Sequence, residues 1–119
     1  MVDHSKYIWF NGNIIPWDKA QIHVMSHVIH YGSGVFEGIK CYNTDQGPAI
    51  FRLEDHIKRL LESGRKYGIE NPYDKKVLVQ ACQDIVKINK FESCYIRPIS
   101  FYGYDTLGVH PKDCPVQVA

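Results

Sequence analysis

The hydrophobic pattern of this chain changes period twice, and that fixes the order of its elements. Up to Arg52 the apolar residues alternate or run in short blocks. From Leu53 they recur at steps of three and four, and from Ser93 the short β-prone blocks return. Alternate side chains of a strand point to opposite faces, whereas a helix gathers every third or fourth residue on one face. The chain therefore predicts strands, then two helices, then strands. That is an α+β (sandwich-like) fold, a mostly antiparallel sheet with two helices on one side.

The punctuation supports this order. Tyr7 to Phe10 and Asn13 to Pro16 flank Asn11-Gly12, a pair that suits a type I′ hairpin turn because both central residues of that turn need positive φ. Val24 to Tyr31 is apolar but short, and Gly32-Ser33-Gly34 should break any helix there. Val35 to Tyr42 reads as a strand, residues 43–48 as a turn, and Ala49 to Arg52 as a returning strand. Leu53, Ile57, Leu60, Leu61 and Gly64 share one helical face, and Gly68 ends that helix. Asp74 is a plausible N-cap for a second helix carrying Val77, Leu78, Ala81, Cys82, Ile85 and Val86. Ser93 to Gly103 reads as a strand, Gly108 to Pro115 as a loop, and Val116 to Ala119 as a strand just entering. Domains seldom end in mid-strand, so the chain is expected to be truncated.

A length of 119 residues allows one modest core. Fourteen basic residues against thirteen acidic ones leave a net charge of +1, which gives no reason to expect nucleic acid or an anionic membrane as partner. No apolar run approaches the roughly twenty residues of a membrane span. The N-terminus lacks the layout of a signal peptide, so a cytoplasmic protein is expected. Cys41, Cys82, Cys94 and Cys114 form no close pair, which argues for reduced thiols and against a zinc ribbon.

Several candidate sites compete. His23, His27 and His30 could line one helical face and mimic a metal site, but no carboxylate or thiol stands at matching spacing. Gly32-Ser33-Gly34 completes neither common phosphate-loop pattern and reads as a turn. Arg59 lies beside Ile57, Leu60 and Leu61. Either its head snorkels to water, as the pattern alone favours, or it clamps a phosphate or carboxylate at the edge of the core. Alternation puts Tyr95 and Arg97 on one face, where a hydroxyl and a guanidinium fork could receive a carboxylate. A polar edge strand at Pro98 explains the pair equally well.

Four blocks of the chain are distinctive: YIWFNGNIIPW, HVMSHVIHYGSGVFEGIKCY, IFRLEDHIKRLLESGRKYGI and CYIRPISFYGYDTLGVHP. Together they resemble the branched-chain aminotransferases, class IV aminotransferases of fold type IV that use pyridoxal phosphate. The likeness runs over essentially the whole chain. It implies that residues 1–119 are the small N-terminal domain, with the catalytic C-terminal domain absent. It implies that Arg59 holds the cofactor phosphate and that Tyr95 and Arg97 face substrate carboxylates. Phe36 and Gly38 would line the substrate pocket, with Gly38 leaving room for ligand beside the backbone. Tyr31 and Val109 would reach across a dimer interface into the neighbouring subunit's pocket. Glu37 alternates away from Phe36 and takes a structural role.

The same resemblance assigns the cofactor-bearing lysine, the acid that pairs with the pyridine nitrogen, and the phosphate loops to the second domain. None of the ten lysines present matches the cofactor-bearing position. The implied reaction of the full-length parent is transamination of leucine, isoleucine and valine with 2-oxoglutarate, in a homodimer or higher homo-oligomer. Its partners are amino acids and 2-oxo acids, with neither nucleic acid nor membrane. The chain by itself is expected to be inactive and to bind no cofactor. Two other readings stay open: another fold type IV enzyme such as a D-amino-acid aminotransferase, and a free-standing, non-catalytic binding domain.

Overall fold

A computed structural model describes residues 4–119. Strands β1 (Tyr7–Phe10) and β2 (Asn13–Pro16) form the expected hairpin, with Phe10 paired to Asn13 and Tyr7 to Pro16. Asn11 and Gly12 take φ values of 48° and 91°, the positive pair that a two-residue turn of this hand requires. The short helix α1 (His27–Tyr31) ends at Gly32 in the left-handed conformation. Strands β3 (Gly34–Phe36), β4 (Ile39–Thr44) and β5 (Gly47–Ile50) follow.

Helix α2 (Leu53–Lys66) buries Leu53, Ile57, Leu60 and Gly64 of the face its sequence marked out, with Leu61 half-buried at its edge. Helix α3 (Lys75–Ile88) buries Leu78, Ala81, Cys82 and Val86 and begins at Asp74, whose carboxylate accepts from the Val77 N–H. Strands β6 (Cys94–Ile96), β7 (Ile99–Tyr102) and β8 (Val116–Val118) complete the order. All strand pairings are antiparallel: β3-β7-β8 in one sheet and β5-β4-β6 in another, beside the hairpin. The α+β architecture is thus as expected.

Two expected strands are interrupted. Val35 to Tyr42 breaks at Glu37-Gly38, and Ser93 to Gly103 breaks at Arg97-Pro98. The breaks face each other. Phe36 pairs with Ile99 before the gap and Ile39 with Ile96 after it, so the register continues without a slip. The paired strands therefore run as one ribbon across both sheets, interrupted where Pro98 lacks an N–H to donate. The Glu37 N–H bridges the gap, donating to the Pro98 carbonyl at 3.0 Å. The pleat also survives: Val35, Glu37, Ile39 and Cys41 are buried, while Phe36 and Lys40 are exposed. Val35 and Ile39 join Ile57, Leu60, Ile69, Leu78, Cys82 and Val118 in the core beneath the helices. The break leaves Glu37 facing that core, and leaves Phe36 and Gly38 on the open side.

Candidate active site

On the open side of the break, four of the expected residues meet. The Arg97 guanidinium carbon lies 4.2 Å above the centre of the Phe36 ring and 5.3 Å from that of Tyr95. Its Nη2 donates to the Tyr95 hydroxyl at 2.7 Å. A Cβ on Gly38 would overlap that hydroxyl, so only glycine lets the Tyr95 ring fold across the gap. Phe36 and Tyr95 are 58% and 55% exposed, large aromatic surfaces that a folded chain ordinarily covers. The arrangement presents an apolar wall, a hydroxyl and a guanidinium fork side by side, suited to a ligand with one aliphatic and one anionic part.

On the core side of the same break lies a polar cluster. Arg59 on α2 donates from Nε to Glu37 Oε2 at 2.9 Å and from Nη2 to Oε1 at 2.7 Å. His56, one turn earlier, lies with Nδ1 2.8 Å from Oε1. A carboxylate only accepts, so the proton of that bond belongs to His56 Nδ1. The Glu37 side chain is 5% exposed, and Arg59 is 66% exposed. The Arg59 hydrogen bonds hold the Glu37 carboxyl below its usual range, working against the desolvation that would raise it. Glu37 in turn raises the affinity of Arg59 for its proton. Arg59 is thus a carboxylate clamp on the protein's own Glu37. Its Nη1 has no hydrogen-bond partner among the described residues, and the side chain is largely exposed.

Tyr31 and Val109 stand together elsewhere. The Tyr31 hydroxyl donates to the Leu107 carbonyl at 2.7 Å, and its ring lies 4.5 Å from that of His27. Buried His27 approaches the carbonyls of Gly108 and Val109 with Nε2 at 3.0 and 3.3 Å, and its Nδ1 lies 2.7 Å from Ser33 Oγ. It therefore pins the loop carrying Val109 to α1. Val109 is 76% exposed and Tyr31 45%. No side-chain hydrogen bond or aromatic pairing joins Tyr31 or Val109 to the Phe36–Arg97 cluster among the described residues.

The remaining candidates have structural roles. His23 Nδ1 accepts from the Met25 N–H, and His30 Nε2 donates to the Val24 carbonyl. One ring nitrogen each of His23 and His30 is thus spent on a backbone group nearby in the chain, while His27 ties α1 to the loop carrying Val109. The cysteines are free, with Cys41 opposite Cys94 across β4 and β6. His56 escaped notice in the sequence. Its signal was the spacing of His56 and Arg59, one turn apart on α2, against a glutamate at an inward position of a strand.

The fold and this cluster define a class. The sequence profile of the amino-transferase class IV family matches residues 34–118, and the chain belongs to that family. Within it, the chain is 45% identical over 107 residues to a branched-chain-amino-acid aminotransferase of Salmonella typhimurium, covering 90% of this chain and 35% of that protein. Its fold superimposes on the branched-chain amino acid aminotransferase from Escherichia coli with a TM-score of 0.93 at 41% identity, covering 97% of this chain and 39% of that one. A T.th. branched-chain amino acid aminotransferase, complexed with N-(5'-phosphopyridoxyl)-L-glutamate, gives 0.91 at 42% identity, covering 96% and 39%. The chain thus spans a little over a third of the length of these relatives. No helix among the described residues is long and apolar enough to cross a membrane.

Proposed function

We propose that this chain is the N-terminal domain of a two-domain, pyridoxal-phosphate-dependent aminotransferase. It moves the amino group between branched-chain L-amino acids and 2-oxoglutarate. The observation that carries this reading is the cluster at the ribbon break, where Arg97 and Tyr95 adjoin the apolar Phe36 ring. Leucine, isoleucine and valine need the apolar wall, whereas glutamate needs a cation for its second carboxylate. One pocket must satisfy both, and this cluster supplies both surfaces.

The residues present fit the cofactor's phosphate. Arg59 is anchored on one edge by Glu37, and its outward edge is exposed. Guanidinium pairs well with phosphate oxygens in that geometry. Bound pyridoxal phosphate supplies the electron sink for amino-group transfer. Arg59 would hold its phosphate, and Arg97 with Tyr95 would orient the substrate carboxylate beside Phe36 and Gly38. None of the ten lysines present matches the cofactor-bearing position of the family this chain resembles, and all ten are exposed. We assign the cofactor-bearing lysine to a second domain and expect no turnover from residues 1–119 alone. Tyr31 and Val109, both exposed, would complete the pocket of a second subunit in a homodimer or larger homo-oligomer.

The test is a substrate comparison on the two-domain protein. L-Leucine should turn over with 2-oxoglutarate, and D-alanine should not. Turnover of D-alanine in preference to L-leucine would instead assign it to the D-amino-acid branch. Failure to bind pyridoxal phosphate would leave a non-catalytic binding domain.

A further inference from the structure

We infer that Glu37 is a positioning residue for Arg59, holding its guanidinium so that the free edge meets the cofactor phosphate, with His56 as a second support. The inference rests on the reading of Arg59 given above. Glu37 itself touches no ligand in this account.

The geometry carries it. Glu37 lies on the core face of the ribbon, one residue from Phe36 on the site face, and its carboxylate accepts three hydrogen bonds. Two come from one edge of the planar Arg59 guanidinium, which fixes both the position and the plane of that group. The remaining N–H bonds, two on Nη1 and one on Nη2, must then point away from Glu37. An arginine as exposed as this one would otherwise sample many rotamers, and ordering it would count against ligand binding. The backbone holds Glu37 as firmly, through its N–H bond to Pro98 at the break.

An opposing effect must be weighed. The Glu37 anion offsets part of the Arg59 charge and repels a phosphate. His56 donates to the same oxygen that Arg59 Nη2 uses, which draws charge away from the side facing Arg59. The carboxylate also lies buried behind the guanidinium. Orientation therefore outweighs repulsion, and removal of the acid should weaken phosphate binding.

The experiment compares two ligands that differ only in the phosphate. Apo two-domain protein is titrated with pyridoxal 5'-phosphate and with pyridoxal, for wild type, Glu37→Gln, Arg59→Ala and the double variant. Glu37→Gln should weaken pyridoxal-phosphate binding about tenfold and pyridoxal binding less than about twofold. In the Arg59→Ala background it should have no further effect, because the two residues act as one unit. Equal losses for both ligands would mean that Glu37 only stabilises the fold, and unchanged or tighter phosphate binding would mean that charge relief dominates. Either overturns the inference. Should Glu37→Gln not fold, His56→Phe decides, with about a threefold loss expected for the phosphorylated ligand alone. No loss there overturns the inference as well. If Arg59→Ala itself costs nothing on pyridoxal 5'-phosphate, the underlying reading of Arg59 fails instead.

Discussion

On the function proposed above, replacing Arg97 with alanine in the two-domain protein should separate the branched-chain donors from glutamate. The guanidinium has two partners here, the Phe36 ring at 4.2 Å and the Tyr95 hydroxyl at 2.7 Å. Losing the stack over Phe36 at an exposed site costs about 0.5–1 kcal/mol, and every substrate that packs on Phe36 shares that loss. Glutamate also loses the partner of its side-chain carboxylate. A charge-assisted hydrogen bond contributes about 1.5–3 kcal/mol, and the exposure of Phe36 and Tyr95 argues for the low end. Steady-state kinetics with each amino donor should show kcat/KM for leucine falling roughly two- to fivefold. The fall for glutamate should exceed that by at least about tenfold, a gap of about 1.4 kcal/mol. Equal losses would assign Arg97 to the carboxylate common to both substrates, or to the strand, and would refute the dual-use reading.

Other outcomes follow from the same geometry. Gly38→Ala should displace the Tyr95 ring, whose hydroxyl occupies the Cβ position, and lower kcat/KM at least about tenfold. Its thermal midpoint should change little, because that face is outside the core. The lowered proton affinity of Glu37 means that its pairing stabilises the fold above the usual carboxylate range. This stability is lost as pH falls through the lowered value, so the midpoint of Glu37→Gln should vary less steeply below about pH 4 than that of wild type. Burial pushes the Cys82 thiol up to about 11, so it should resist a thiol reagent at pH 7 until the protein unfolds.

Much of this was legible in the sequence because the deciding signals were local. Asn11-Gly12 dictates a turn by backbone sterics, Asp74 caps its helix through its own carboxylate, and Leu53, Ile57 and Leu60 face the core by helical period alone. The break in the ribbon was not legible. Val35 to Tyr42 reads as one strand by its apolar alternation despite Gly38, and the gap lies opposite a proline on the facing strand, far along the chain. The pairing of Glu37 with His56 and Arg59 depends on the same long-range register, although the alternation that made Val35 and Ile39 core residues also pointed Glu37 inward. Tyr95 and Arg97 share a face by alternation alone, while the stack on Phe36 required the two strands to be placed side by side.

The most direct test is a crystal structure of the two-domain protein with bound N-(5'-phosphopyridoxyl)-L-glutamate. It should show Arg59 on the phosphate while still paired with Glu37, and Arg97 with Tyr95 on a glutamate carboxylate beside Phe36. A phosphate held without Arg59, or a glutamate bound away from the ribbon break, would contradict the account.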